Sequence, residues 1–368
     1  MDNYNRRLNG IGISIIPIMV LFEAEITPVL KPKEVMKLAQ TAEGAGVDRL
    51  GISDVIFYPD TYELQALCAT VTKRIKIGSL VTNPFTRHPA VTAAAVSTLD
   101  EISGGRAFLG IGAGAGIAML GVSRSPPVPA IRKAVRIIRE LLSGHAVSFQ
   151  ANPYQLSCRG TRLEFPPNHQ VPILIGTRSP RVAKLAGEIA DIIVIGARYI
   201  SDKQLGDYLH WVSEGALKAK REIGNLEIAP RLTICASADG ELAKRSVKFY
   251  AAYYLALLKP PDLAIEEDKL QKIINAVRRA KGWYFSNNVQ YPREIDSLVD
   301  EEIIDKFAVA GTTEECIAKI RNVVSRYKFR SVSLNVAAVR RKNIFDGMAE
   351  TVRSLGEIIQ GVKKSDAK

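Results

Sequence analysis

Val171-Pro-Ile-Leu-Ile-Gly176, a helix opening at Pro180, and Asp191-Ile-Ile-Val-Ile-Gly196 form the stretch whose reading decides the fold. Both runs are short and continuously apolar. A strand apolar at every residue is buried on both faces, which is the condition of a parallel sheet covered by helices. The same alternation extends in both directions. Strand-like segments fall at Ile11–Ile16, Asp48–Ser53, Ile75–Thr82, Ala107–Gly112, Thr233–Ala236 and Ser331–Asn335, making eight with the two already quoted. Helical patterns separate them. Pro32 opens one whose apolar face is Val35, Leu38, Ala39, Ala42 and Ala45, and proline suits that first turn because its missing N–H would be unpaired anyway. Others run from about Thr61 to Lys73, from Pro89 onward, and from about Ala130 to Ser143. Eight βα units predict a TIM (β/α)8 barrel with insertions in its βα loops, a doubly wound sheet being the alternative.

Two segments break the rhythm. The polar, proline-containing stretch 145–170 is expected to form a hairpin or loop excursion. The stretch 259–309, beginning Lys-Pro-Pro-Asp, is read as an insertion between units seven and eight near the catalytic face of a single domain spanning 1–368. The apolar run Ile11 to Phe22 resembles a signal peptide, but Ser14 and Pro17 interrupt it, and Glu23 and Glu25 follow where small cleavage-site residues belong. It is expected to be a first buried strand, and a cytoplasmic protein with no membrane segment is expected.

Composition supports this. The chain has 368 residues, 47% apolar and 24% charged, so it is neither disordered nor fibrous. Its four cysteines form no C-x-x-C pair, which argues against a disulfide framework and a thiolate zinc site. Fifty Lys and Arg against 38 Asp and Glu leave a formal charge of +12. The basic residues are spread through helices without a nucleic-acid motif, so no nucleic-acid partner is expected.

Local motifs narrow the chemistry. Gly110, Gly112, Gly114 and Gly116 follow a strand but miss the G-x-G-x-x-G spacing, because Ala115 and Ile117 stand where the third glycine belongs. They serve either tight packing or close approach to a flat ligand. No Gly-Lys dipeptide exists, which excludes a P-loop, and no G-x-S-x-G supports a hydrolase elbow. Gly176-Thr177-Arg178-Ser179-Pro180 ends a strand and opens a helix. Its free N–H groups and the positive end of the helix dipole suit a phosphate, and Arg178 could add a charged fork; an ordinary helix capped by Ser179 is the plainer reading. The four histidines, His88, His145, His169 and His210, have no i,i+4 partner, and no metal is expected; only His88 lies on an obvious rim loop.

Three stretches carry a family resemblance: Gly46-Val-Asp-Arg-Leu-Gly-Ile-Ser-Asp54, Gly78-Ser-Leu-Val-Thr-Asn-Pro-Phe-Thr-Arg-His-Pro-Ala90, and Thr98-Leu-Asp-Glu-Ile-Ser-Gly-Gly-Arg-Ala-Phe-Leu-Gly-Ile-Gly112. They resemble the second to fourth βα units of the bacterial-luciferase-like superfamily. The Val-Thr-Asn-Pro form is most similar to the branch of coenzyme F420-dependent methylenetetrahydromethanopterin reductases. The resemblance implies a deazaflavin, or alternatively FMN, lying across the C-terminal mouth, and a non-proline cis peptide at Ser79–Leu80 whose bulge backs the ring. It implies that Asp54, Ser79, Leu80, Thr82 and Asn83 contact the cofactor and that Gly176, Thr177, Arg178 and Ser179 hold its phosphate. It also implies a homodimer or higher homo-oligomer acting on a small-molecule substrate.

The chain departs from the family at chemical positions. Val55 stands where a His usually follows the strand-two Asp, Ala115 where an acid follows the glycine run, and Ser14 where the methanopterin enzymes place a strand-one Glu. Asp54, Glu23, Glu25 and Tyr58 remain as polar candidates for catalysis near the mouth. The expected function is hydride transfer between C5 of coenzyme F420 and an organic substrate. The alternatives are an FMN-dependent monooxygenase served by a separate reductase, and a cofactor-binding paralogue without turnover.

Overall fold

A computed structural model describes residues 20–114, 116–122, 126–149, 158–196, 198–282 and 289–364. Eight parallel strands close on themselves: β1 (Leu21–Ile26), β2 (Arg49–Ile52), β3 (Lys76–Thr82), β4 (Ala107–Ile111), β7 (Ile173–Thr177), β8 (Ile192–Ile195), β9 (Glu227–Ala236) and β11 (Ser331–Val336). The final closing contact pairs Ile192–Ile195 of β8 with Glu227–Pro230 of β9. This is the predicted TIM barrel. A short parallel strand, β10 (Val309–Gly311), bonds to the upper end of β9, and β5 (Val147–Phe149) and β6 (Cys158–Thr161) form an antiparallel hairpin within the 145–170 excursion.

The helices wrap the barrel in sequence: α1 (Pro32–Gly44), α2 (Thr61–Val71), α3 (Pro89–Ser103), α4 (Pro127–Leu142), α5 (Pro180–Ile189), α6 (Asp202–Lys218), α7 (Gly240–Leu258), α11 (Thr313–Tyr327) and α12 (Ile344–Lys364). Their apolar faces meet the outward residues of the strands, as Val35, Leu38 and Ala39 do with Phe22, Ala24 and Ile26 in one continuous core. Helices α8 (Glu267–Arg279), α9 (Ile295–Leu298) and α10 (Glu301–Phe307) occupy 259–309 and build a satellite core on α7 from Ile273, Ile295, Val299, Ile303 and Phe307.

One strand is not where the sequence pattern suggests. Ile11–Ile16 lies outside the described residues, and the barrel position between β11 and β2 belongs to Leu21–Ile26. In β1 the period-two alternation puts Phe22, Ala24 and Ile26 toward the helices and Glu23 and Glu25 into the lumen. A strand polar on its inner face does not read as barrel strand from hydropathy. Ser14 lies outside the described residues, and the strand at this barrel position carries glutamates at Glu23 and Glu25.

The lumen is divided. Leu80, Phe108, Leu174, Ile192, Val194 and Ala229 form a separate apolar cluster inside it. Opposite them stand Glu23, Glu25, Arg49, Arg231, Ser331, Ser333 and Asn335, all buried.

Candidate active site at the barrel mouth

The C-terminal ends of β2, β3 and β7 bring together most of the expected cofactor residues. The backbone of β3 bulges between Ser79 and Thr82, and the cis peptide falls at Leu80–Val81, one bond later than expected. The bulge is seated on bare backbone. A Cβ on Gly110 would lie 2.1 Å from Ser79 O, and one on Gly176 would lie 2.7 Å from Val81 Cγ1. Packing therefore accounts for these two glycines. Val81, half-buried, packs against the apolar cluster and over Gly112 and Gly176.

Beside the bulge runs a hydrogen-bonded chain. Tyr62 Oη donates to Thr82 Oγ1 at 3.0 Å, and Thr82 Oγ1 donates to Asp54 Oδ2 at 2.7 Å. Burial pushes the Asp54 carboxyl above the usual range, the Thr82 hydrogen bond pulls it back, Asp60 adds to the rise, and Arg87 opposes it. Arg87 stacks over the Tyr62 ring at 4.1 Å and lies 3.8 Å from Asp60. Asp54 is thus a half-buried carboxyl that keeps its proton to higher pH than a solvated one.

At the end of β7, Thr177 Oγ1 accepts from the Ser179 N–H at 2.9 Å and shapes the turn into α5. Ser179 occupies the N-cap position, but its side chain makes no capping bond, so the first-turn N–H groups stay open. The exposed Arg178 side chain makes no hydrogen bond or ion pair among the described residues, while its carbonyl accepts from Tyr208 Oη at 3.1 Å. Across the mouth, a cavity of about 870 Å³ opens over β1, β9 and β11, lined by Thr27, Tyr58, Thr233, Tyr250, Tyr291 and Asn335 among others.

Several expected residues also make contacts within the protein. Ser79 is fully buried and its hydroxyl donates to Gly110 O at 2.8 Å, bracing β3 to β4. Leu80 belongs to the lumen cluster. Asn83 spends its amide within the loop, Oδ1 accepting from the N–H groups of Phe85 and Thr86 and Nδ2 donating to Thr86 Oγ1. Glu23 is not at the mouth. It sits at the barrel floor, paired with Arg49, which also meets Glu227. Tyr58 does line the cavity. His88 caps α3, its Nδ1 accepting from the Ala90 N–H at 3.1 Å. Val55 lies beside Asp54 as expected, and Ala115 falls outside the described residues. Among the described residues no group of three or more His, Cys, Asp or Glu could hold a metal, and no helix is long and apolar enough to cross a membrane.

Glu25, expected among the polar candidates near the mouth, is a buried lumen residue opposite Asn335. Its Oε1 accepts from Ser53 Oγ at 2.7 Å and its Oε2 from Arg231 Nε. The signal was the Glu-x-Glu spacing itself, which in a strand points both carboxyls to one face.

A closed parallel barrel with a bulged third strand defines the TIM-barrel class, whose enzymes work at the C-terminal mouth. The family model described as luciferase-like monooxygenase matches residues 18–327; the chain belongs to that family and is an oxidoreductase enzyme. A 5,10-methylenetetrahydromethanopterin reductase of Archaeoglobus fulgidus is 30% identical to it over 304 residues, covering 82% of this chain and 89% of that protein. An F420-dependent glucose-6-phosphate dehydrogenase of Mycobacterium avium is 26% identical over 310 residues, covering 80% and 85%. The solved coenzyme F420-dependent tetrahydromethanopterin reductase from Methanopyrus kandleri shares the fold, with a TM-score of 0.78 at 24% identity over 92% of this chain and 97% of that one.

Proposed function

We propose that this protein transfers hydride between C5 of coenzyme F420 and an organic substrate, in the manner of the methylenetetrahydromethanopterin reductases it resembles. The observation that carries this reading is the turn at Thr177–Ser179. An uncapped helix N-terminus and an unpaired guanidinium stand together on the working face, which is the donor set an anionic cofactor needs. Thr177, Arg178 and Ser179 would hold the phosphodiester, Val81 on the bulge would back the ring, and Asp54 and Thr82 would meet its polar edge. Bound there, the deazaflavin supplies or accepts two electrons and one proton as hydride.

The chain's own residues do the rest. The bulge and the apolar lumen beneath it keep water from the underside of the ring. Asp54, protonated to higher pH than an ordinary carboxyl, is placed to give or take a proton at the mouth. The cavity over β1, β9 and β11 would receive the substrate, and Tyr291 from the 259–309 insertion contributes to its wall, so the insertion is proposed to tune substrate choice. A homodimer or higher homo-oligomer is proposed as the working form, to be checked by light scattering.

Titration of the purified protein with coenzyme F420 and with FMN, followed by absorbance, tests the reading. Coenzyme F420 should bind, and Arg178→Gln should weaken it about tenfold or more, the scale of one charge-assisted hydrogen bond. Preferential binding of FMN would transfer the assignment to the flavin monooxygenases. Binding of neither sinks both.

A further inference from the structure

The polar half of the lumen contains more hydrogen-bonding groups than the protein itself satisfies. Glu23 Oε1, Arg231 Nη1, Ser331 Oγ, Ser333 Oγ and Asn335 Nδ2 are all buried without a hydrogen-bond partner. They come from three adjacent strands, β1, β9 and β11, and register stacks them in rungs. Glu23 lies opposite Ser333, which lies opposite Arg231; Glu25 lies opposite Asn335, which lies opposite Thr233; Ser331 is one rung lower, opposite Leu21. Successive rungs are two residues apart, about 6.6 Å along the strand, a gap that one or two waters bridge. A buried orphaned polar group costs about 1–3 kcal/mol, so five in one chamber are not left dry.

Charge makes the chamber more than a structural void. Glu23, Glu25 and Glu227 face only Arg49 and Arg231, so the carboxylates outnumber the guanidiniums by three to two. Glu227 is 23% exposed and can be stabilised by solvent, and Glu25 has both oxygens engaged. Glu23 is fully buried, its Oε1 has no partner of good hydrogen-bond geometry, and the neighbouring Ser333 hydroxyl is close enough to favour its ionised form against burial. Beside Glu23, on the facing residue of β2, stands the Arg49 guanidinium, which donates to Glu23 Oε2 and does not release its proton. Above it, the unspent groups continue to Asn335, which lines the mouth cavity.

We propose that the polar half of the lumen holds a column of internal waters running from Asn335 at the cavity down to Glu23, and that the Glu23 carboxyl is the proton store at its inner end. The column exchanges protons with the mouth through Ser333 and the Asn335 rung, beside the Glu25–Arg231 pair. It supplies or removes protons on the substrate side of the mouth, opposite Asp54. The inference goes beyond the cofactor assignment, and the column is a property of the chain with or without a coenzyme bound.

Infrared spectroscopy on the cofactor-free protein tests it. A carbonyl stretch of a buried, protonated carboxylic acid should be present near neutral pH, be absent in Glu23→Gln, and shift promptly on transfer to D2O. Ser333→Val, which fills the column, should keep the band and slow its deuterium shift by about tenfold or more, toward exchange that needs structural opening. Asn335→Leu, one rung higher, should do the same and serves if Ser333→Val does not fold. Absence of any band that Glu23→Gln removes overturns the proton store. A band that exchanges only on unfolding, or as fast in the plugged variants as in the parent, overturns the water column. Either failure leaves coenzyme binding untouched, so it is distinguishable from failure of the cofactor assignment.

Discussion

Strands β3, β4, β7 and β8 line their side of the lumen with Leu80, Phe108, Leu174, Ile192 and Val194, whereas β1, β2, β9 and β11 line theirs with Glu23, Arg49, Glu25, Arg231, Ser333 and Asn335. Both sides are buried, yet they solve burial differently. The apolar side is close-packed onto glycine backbone, with no room at Gly110 for even a methyl group. The polar side is held by guanidinium hydrogen bonds to buried glutamates and leaves hydrogen-bonding groups over. The first makes a rigid seat beneath the β3 bulge. The second places titratable groups beneath the open cavity. One barrel thus places close packing and buried titratable groups on opposite strands.

Breaking each side once gives the largest expected effects. Arg231→Met should destabilise by about 3–5 kcal/mol, because it leaves Glu25 as a buried charge without its partner. Phe108→Ala should lose about 3–5 kcal/mol by opening a cavity in the apolar side. Urea unfolding reads both. The two should part in the second mutation: Glu25→Gln added to Arg231→Met should restore most of the loss, and no polar change should rescue Phe108→Ala. If Glu25→Gln brings no relief, packing rather than charge pairing holds the polar side, and the contrast between the halves fails.

That contrast also sorts what was legible in the sequence. β7 and β8 were plain because both faces of Ile173–Ile175 and Ile192–Ile195 are covered, which writes an unbroken apolar run. The turn at Thr177–Ser179 was legible for a local reason, a strand end followed at once by Pro180. β1 was not, because Glu23 and Glu25 break the apolar pattern while pointing inward, and the more apolar Ile11–Ile16 drew the assignment away. Nor could spacing show that Arg231 serves Glu25 from 206 residues away, or that Ser79 and Asn83 spend their polar atoms on neighbouring backbone. Family likeness named loops that meet at the barrel mouth, but it did not say which side chains within them remain free.

Glu23→Gln sharpens the polar side with a smaller effect, roughly 1–3 kcal/mol, the scale of an unsatisfied buried group. Burial holds the Glu23 carboxyl above its usual range, with Arg49 opposing. A group raised in the folded state gives its full stabilisation below its unfolded value and loses it as pH rises through the folded one. The parent protein should therefore lose stability relative to Glu23→Gln from the ordinary carboxylate range upward, and the two should converge in acid. Thermal unfolding across pH measures this. The opposite sign would mean that Arg49 keeps Glu23 ionised, and the excess of carboxylates would have to reside elsewhere.

Thr82→Val is the mildest test and reaches the boundary between the two halves. It removes a hydroxyl that accepts from Tyr62 and donates to Asp54, and should cost about 1 kcal/mol. Its more telling effect is on Asp54. The Thr82 hydrogen bond lowers the Asp54 carboxyl against the burial that raises it, so its loss should carry the carboxyl further up. By the same linkage, the stability penalty of Thr82→Val should grow as pH rises above the ordinary carboxylate range. Thr82→Ser keeps the hydroxyl and should leave Asp54 nearly where it is. NMR titration of the Asp54 carboxyl in the three proteins decides the matter. If it does not move in Thr82→Val, solvent at the mouth already satisfies Asp54, and the Tyr62–Thr82–Asp54 chain is a brace on the β3 bulge rather than a control on the proton it carries.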